Sequence, residues 1–502
     1  MNVVLITFLA LLLWRLWRFS IQPILNPQEP AELPYLIPWH GFAFFQNASE
    51  LLEKARHYFA TAKEPFAITI FGSTLYIVVQ PEHTVEVYKN TEALSMEGFA
   101  ESLMRSNGMS DAGVRVTYKP LSKNKSGFPN PHGESLGNFV RQMNIHQLYP
   151  GKNLDALDAR FLCLLNQHLQ FTRMQSTYTA NATSNTEKVI QVSFMKWCSE
   201  IMVRVSGMAY FGEKLAETGP NIAETFLEFD GLGWQVLYQY PTFLTRKLSI
   251  ARRLTQRSLR AYFQIPQEQR TGAVWLINEL ENELRALNVS NDDMTALFFN
   301  VYWGINTNTP KAAFWMLAHL LWNPSLIDEI REEISPAFCG SEIVDLNHLF
   351  HKCPKLDAVW HETLRLSSNA ASVRVAMQDT VIGGKLIRKG SRVMIPYRLL
   401  HFNENVFGEN VHEFNPGRFT AKGTSVTSGP SWRPFGGGKT MCTGRYAAKH
   451  ATLMFVCLVL HRFDLTIIGN EKFPEADLGR PVLGLVNTKN REELMVGITP
   501  RV

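Results

Sequence analysis

The chain has 502 residues, 45% of them hydrophobic and 19% charged, which fits a globular protein with a substantial core in one large domain or several small ones. A net charge of +5 from scattered basic residues gives no case for nucleic-acid binding, though a local basic patch could face an acidic protein partner. The six cysteines are widely spaced and form no CxxC pair, which argues against zinc ribbons, redox dithiols and a disulfide framework, and fits a reducing compartment.

Val3 to Trp14 is an apolar run interrupted only by Thr7, followed by Arg15 and Arg18 among Leu16, Trp17 and Phe19. It is short against the ~20 residues of a full span. Snorkelling arginines and interfacial tryptophans extend it. Both arginines lie on its C-terminal side, which places the bulk of the protein on the cytoplasmic side. A cleaved signal peptide is the rival reading, weakened by the charge order and by the lack of a small-residue cleavage site. Residues 1–22 therefore read as a transmembrane signal anchor. Residues 23–40 carry Pro23, Pro27, Pro30, Pro34 and Pro38 and read as a stiff spacer, neither helix nor inner strand. Residues 41–502 show no repeat and no dividing linker, so they read as one domain.

Phe66–Phe71 and Leu75–Val79 flank Gly72-Ser73 and predict a hairpin. Pro81–Lys89 predicts a helix. Helix patterns then dominate to about residue 330, with irregular stretches near 96–137 and 173–188, the second polar enough for a surface loop. The sequons at Asn47, Asn181 and Asn288 are short patterns of the kind that arise by chance, and are expected to be unglycosylated in a cytosol-facing domain. Phe226, Phe229, Trp234, Tyr238, Tyr240 and Phe243 form an aromatic stretch whose default role is core packing. Thr295–Trp322 predicts one long helix with a polar centre, Trp303-Gly304-Ile305-Asn306-Thr307-Asn308-Thr309-Pro310, where Pro310 loosens the turn.

Glu362 and Arg365 stand at i and i+3 on one helix face. Arg374 follows after a short Ser/Asn/Ala stretch, and Phe414-Asn415-Pro416-Gly417-Arg418-Phe419 comes later. Then comes Phe435-Gly436-Gly437-Gly438-Lys439-Thr440-Met441-Cys442-Thr443-Gly444-Arg445, a cysteine in a Gly-rich loop ahead of an apolar helix pattern. Glycines keep bulky side chains from the sulfur and supply positive φ. Backbone amides and the helix N-terminus aimed at the sulfur lower its pKa and steady it as a ligand. The other reading is a buried structural cysteine beside a Gly turn. No dinucleotide fingerprint, Walker loop or Ser-nucleophile elbow is present.

The Cys442 loop resembles the heme-thiolate loop of the cytochrome P450 family, F-x-x-G-x-[HR]-x-C-x-G, with Thr440 at the usual base position and Lys439 beside it. The segment ending in Phe419 resembles the family's F-x-P-x-R-F. Phe314-Trp315 and Leu366-Ser367-Ser368 resemble the branch of sterol 7α-hydroxylases and prostacyclin synthase, and in detail its fungal members, many of which tailor terpenoids and alkaloids. The resemblance implies a mainly α fold with small β-sheets and heme b held through Cys442, the metal ligand. It implies cofactor contacts from Phe435, Gly438, Gly444 and Lys439, with Arg374, Arg433 and Arg141 as bases for heme propionates. Glu362, Arg365 and Arg418 become a structural salt-bridge set. Arg480–Asn487 resembles a turn re-entering the pocket, and residues 226–244 a roof touching the membrane. The central helix lacks the family's acid–alcohol pair: Thr307 falls at the acid and Asn308 at the alcohol, or Asn306 replaces the acid and Thr307 keeps the alcohol. Asn308, Thr309 and Thr307 are thus the candidate proton-relay residues.

The implied function is oxidation of a lipophilic small molecule with dioxygen and electrons from an NADPH-dependent P450 reductase, with cytochrome b5 as an optional donor. The implied place is the endoplasmic reticulum membrane, with the catalytic domain in the cytosol. Two alternatives are a reductase-independent isomerase or dehydratase, motivated by the missing acid, and a non-catalytic heme-binding protein.

Overall fold

Helices carry most of the computed structural model, which describes residues 2–35, 39–59, 63–121, 128–178, 189–421, 424–469, 472–489 and 493–501. The larger sheet has five strands, in the order Phe66–Ile70, Ser73–Ile77, Arg392–Pro396, Ala371–Ala376, Leu94–Ser95. A three-stranded sheet joins Phe463–Ile468, Met495–Pro500 and Ile190–Ser193. The first two strands form the expected hairpin, closed at Ile70–Ser73 by Phe71 (φ 45°) and Gly72 (φ 83°). Two positive φ values in a two-residue loop match the twist of the flanking strands. Pro81–Lys89 is helical with Pro81 in its first turn.

The N-terminal helix is longer than the sequence pattern indicates. Asn2–Leu16 runs through a π-turn at Trp17–Ile21 into Gln22–Leu25. Val3–Leu25 is 23 residues long with none of its apolar window buried, about 35 Å at 1.5 Å per residue, enough for a hydrocarbon core of ~30 Å. Helix continues past residue 22 because Pro23 sits in the first turn of the last helical piece, where no N–H is required. The spacer also pairs with a strand. Leu33 N donates to Ala67 O at 2.9 Å, Ala67 N donates to Ala31 O at 2.8 Å, and Arg18 meets Glu32 at 2.8 Å. Pro38 lies outside the described residues.

The stretch near 96–137 is less irregular than its pattern suggests. Glu97–Ser106 and Asp111–Thr117 are helices, the second capped by Ser110 Oγ accepting from Gly113 N at 3.0 Å. Glu97–Ser106 carries a short apolar stripe of Phe99, Ala100, Leu103 and Met104, of which Leu103 and Met104 pack against the core. Phe171–Tyr178 is also helical, and residues 179–188, including Asn181, lie outside the described residues.

The central helix is two helices, Asn291–Asn306 and Thr309–Leu321, broken at Thr307-Asn308 with Pro310 in the first turn of the second. The second piece is buried from Thr309 to Leu320 and packs against Phe194–Phe211, Pro354–Ser367 and Arg445–Arg462. Within it His319 is sandwiched between Phe414 (4.3 Å) and Phe473 (4.8 Å). Burial, and secondarily Arg365, pushes His319 down to about 3 from 6.5. Below 6.5 the unfolded chain takes a proton that the folded one refuses, so this contribution to stability is present above pH 6.5 and is lost as pH falls toward 3. Denaturant titrations at several pH values should therefore show a shallower acid loss of stability in His319→Phe, which keeps the stack. An unchanged slope would contradict this.

Candidate functional site

Gly436 (φ 76°) and Gly438 (φ 59°) turn the cysteine loop through left-handed backbone, and Cys442 N donates to Phe435 O at 2.9 Å to close it. A Cβ at Gly437 would stand 2.7 Å from the Tyr88 ring, so the loop lies directly on the Pro81–Lys89 helix. Cys442 comes just before the Arg445–Arg462 helix. Protein surrounds it, and its accessible surface faces a cavity of about 450 Å³. Among the described residues no other cysteine lines that cavity. Burial pushes the thiol above its ordinary value, while the Gly444 amide and the Arg445 guanidinium pull it down only in part. The loop alone is thus expected to lower the value and does not: desolvation outweighs the hydrogen bond, and a bound metal cation would be the missing counter-charge.

Buried bases gather beside the loop. Arg374 sits on the buried face of Ala371–Ala376, donates to Thr440 Oγ1 at 2.5 Å and lies 5.6 Å from the Tyr88 ring. Thr440, where the family motif has a base, is therefore the acceptor that positions one. Arg433 donates to Gly429 O and Trp432 O, and its Nε has no partner. Burial lowers both guanidinium values, and both lie near Tyr88 and Tyr397, whose hydroxyls are 2.8 Å apart. Among the described residues neither has a carboxylate within ion-pair distance. Arg141 leaves its Nε unpartnered on the face that brings Asn144 and Leu148 to the cavity. Phe435 and Gly444 line the cavity; Lys439 and Gly438 are exposed and do not.

An apolar cavity that ends on a thiol, whose lining acid Asp158 is held by His450 at 2.6 Å, with arginines lacking carboxylate partners just behind Thr440 and Tyr397, fits heme b. Its ring is flat and apolar, its iron takes a thiolate, and its two carboxylates need bases.

Glu362 and Arg365 have no exposed side-chain surface and pair bidentately, with Nε to Oε2 and Nη2 to Oε1 both at 2.7 Å. Arg418 joins at 3.2 Å. Arg365 Nη1 donates to Val411 O at 2.7 Å and His401 O at 3.3 Å, and His401 Nε2 accepts from Arg433 N at 3.0 Å. Burial and the surrounding arginines push His401 down to about 3, so it stays a neutral acceptor.

The helix break divides the relay candidates. Asn308 and Thr309 line the cavity. Asn308 Oδ1 accepts from Leu485 N at 2.9 Å, and Thr309 Oγ1 donates to Ile305 O at 3.1 Å. Thr307 does not line it. Its hydroxyl donates to Asp230 Oδ1 at 2.5 Å, where Trp303 Nε1 also donates at 2.9 Å, and Lys311 reaches Asp230 Oδ2 at 2.8 Å. Sequence reasoning misses Asp230, which ends the Ile222–Asp230 helix far away in the chain. The signal for it is Lys311, a lysine inside an apolar helix pattern that needs an acid. Leu483, Gly484 and Leu485 enter the cavity as expected, and a Cβ at Gly484 would collide with the Asn308 amide. The aromatic stretch is divided: Phe226 and Phe229 are core, Tyr238 packs on Phe44 and Phe45, and Phe243 is 80% exposed.

The fold and this cavity define a heme-thiolate protein. The family model Cytochrome P450 matches residues 166–495. The chain belongs to the cytochrome P450 family. It is 27% identical to cytochrome P450 monooxygenase poxD of Penicillium oxalicum, over 90% of both chains. It is 21% identical to cytochrome P450 monooxygenase nodJ of Hypoxylon pulicicidum, over 94% of this chain and 89% of that one. Cytochrome P450 7A1 of Rattus norvegicus matches at 25% over only 58% of this chain and 63% of its own length, so the likeness to the 7α-hydroxylase branch is distant. The crystal structure of the cytochrome P450DA heme domain superposes with a TM-score of 0.68 at 14% identity, covering 94% of this chain and 98% of that one. Family and relatives make this an oxidoreductase of the monooxygenase type that uses heme b on a cysteine thiolate, a redox partner and a small-molecule substrate.

Glu362→Ala leaves two buried guanidiniums unpaired and should lower unfolding free energy by about 3–5 kcal/mol. Lys54→Ala breaks only the exposed pair with Glu50 and should leave the denaturation midpoint in place. Similar midpoints for both variants would refute the bracing role.

Proposed function

We propose that Cys442 is the axial ligand of heme b and that the protein hydroxylates or otherwise oxidises a lipophilic small molecule, a terpenoid, steroid-like compound or alkaloid of secondary metabolism. Electrons come from an NADPH-dependent P450 reductase, with cytochrome b5 as a second donor. The supporting observation is the cysteine in an apolar cavity, with Arg374 and Arg433, neither of them paired with a carboxylate, set beside its wall at Thr440 and Tyr397. Arg374 and Arg433 would hold the propionates, with Arg141 in support. Bound there, heme b supplies the two-electron activation of dioxygen. The chain's own residues orient the substrate against apolar walls, exclude bulk water and place Asn308 and Thr309 to hand on protons.

Residues 2–25 act as the anchor, in the endoplasmic reticulum membrane. Residues 26–40 act as the spacer and residues 41–502 as the catalytic domain on the cytosolic side. The isomerase alternative drew on the missing acid. Asp230 beside Thr307 is an acid–alcohol pair from two helices, but it lies off the cavity and is held by Lys311, so turnover without NADPH is the outcome that would favour the isomerase reading.

The reduced, carbon-monoxide-treated protein should show the red-shifted Soret band of thiolate ligation, and Cys442→Ala should lose it. A band that survives the substitution would sink the assignment. Asn308→Ala should keep the band and raise NADPH consumed per product about tenfold or more, within the range for a lost proton-transfer group. Gly484→Ala, by displacing the Asn308 amide, should do so to a lesser degree. Normal coupling in both variants would remove Asn308 from the relay.

A further inference from the structure

Arg398 is a partly buried cation that heme binding leaves unexplained. It follows the Arg392–Pro396 strand and is second in the short Tyr397–His401 helix. Nη1 donates to Leu366 O at 3.0 Å, and the guanidinium carbon lies 4.0 Å from the centroid of the Phe402 ring. Among the described residues no carboxylate is within ion-pair distance of it. Glu53, the one acid whose field reaches it, is engaged by Arg56 at 3.1 Å. Burial lowers the Arg398 value to about 10. A desolvated cation without a counter-charge costs stability until something negative meets it.

Arg398 lines a second cavity of about 580 Å³, not the one that holds Cys442. The two share Phe99, Ala370, Ala371, Val373 and Leu483, so they are neighbours across one layer of side chains. The charged groups on the outer wall are Glu53, Arg392, Arg398 and Arg480. Arg480 leans on Trp234 and has Asp477 at 3.6 Å. The cations outnumber the single acid, and Arg398 is the least exposed of the three and has no carboxylate partner among the described residues. The rest of the wall is largely apolar and aromatic, with Phe44, Phe45, Phe71 and Tyr238.

We propose that the substrate is a lipophilic carboxylic acid whose carboxylate pairs with Arg398 in the outer cavity while its hydrocarbon body reaches toward Cys442. This narrows the substrate class of the heme-thiolate reading and rests on it for which end of the molecule is oxidised. A guanidinium takes a carboxylate bidentately, and the apolar wall takes the chain.

The test uses the full-length holoenzyme, titrated with dodecanoate, palmitate and abietate, each against its methyl ester. Binding is read by the substrate-induced absorbance shift and by the rise in unfolding temperature. At least one acid should bind about tenfold or more tighter than its ester, one decade of affinity. Arg398→Gln should abolish that preference and Arg398→Lys should retain part of it, both with the carbon-monoxide band intact. Equal affinity of acid and ester in the wild type, no binding of any acid, or a preference that survives in Arg398→Gln would each overturn the proposal. Loss of the carbon-monoxide band in the wild type would instead strike the parent reading.

Discussion

Glu362 has no exposed surface, and the position of the cysteine loop depends on what it holds. Arg365 and Arg418, drawn in by its two oxygens, carry their remaining N–H groups outward to the carbonyls of His401, Phe407, Asn410 and Val411. Much of that stretch lies outside regular secondary structure, and its carbonyls would otherwise be buried without donors. The set thus substitutes for a sheet or helix in fixing irregular chain. His401 passes the constraint on, because its carbonyl accepts from Arg365 and its ring accepts from the Arg433 amide just ahead of the loop. The ring can accept only while neutral, and the three arginines around it help to keep it so. One buried carboxylate therefore reaches the start of the cysteine loop through Arg365, His401 and the Arg433 amide.

The same interior shows two kinds of buried charge. Glu281 meets Arg270 at 2.5 Å and Asp230 meets Lys311 at 2.8 Å, each within hydrogen-bond distance of a partner. These groups satisfy one another and need nothing from outside the chain. Arg374, Arg433 and Arg398 are desolvated as well, but carbonyls, hydroxyls and rings are all that the protein offers them. Carbonyl dipoles and ring faces offset only part of the cost of burying a full charge. Two of the three lie beside the cysteine loop, where a dicarboxylate cofactor accounts for them. The third faces a different cavity, which is why its counter-charge is sought in another molecule.

Much of this was legible in the sequence because the motifs are local. The cysteine loop, the Glu362–Arg365 spacing, the 66–77 hairpin and the Pro81 helix each depend on residues within a few positions of one another. The N-terminal helix was legible in kind and misjudged in length, since proline is harmless in a first helical turn and the pattern alone does not reveal where a turn begins. The helices at 97–106 and 111–117 are ten and seven residues long, too short for a helical period to stand out in the sequence. Asp230 and Arg398 were illegible for a different reason. Each is one charged residue in an otherwise unremarkable stretch, and what distinguishes it is the presence or absence of a partner brought by another part of the chain.

The central break sends two neighbouring polar residues to two different sites. A helix that carries acid and alcohol side by side presents both toward one wall. Here the helix is interrupted at Thr307 and Asn308, and these consecutive residues point to different surroundings: Thr307 to Asp230 and Lys311, Asn308 to the cavity and the Leu485 amide. Asp230 on the Ile222–Asp230 helix and Lys311 on the central one form a buried pair that is neutral overall. Its strength depends on the distance between the groups and on their burial. It also ties the roof helix to the break by an ion pair and two hydrogen bonds, so the roof cannot shift without disturbing Thr307, the neighbour of the cavity-lining Asn308.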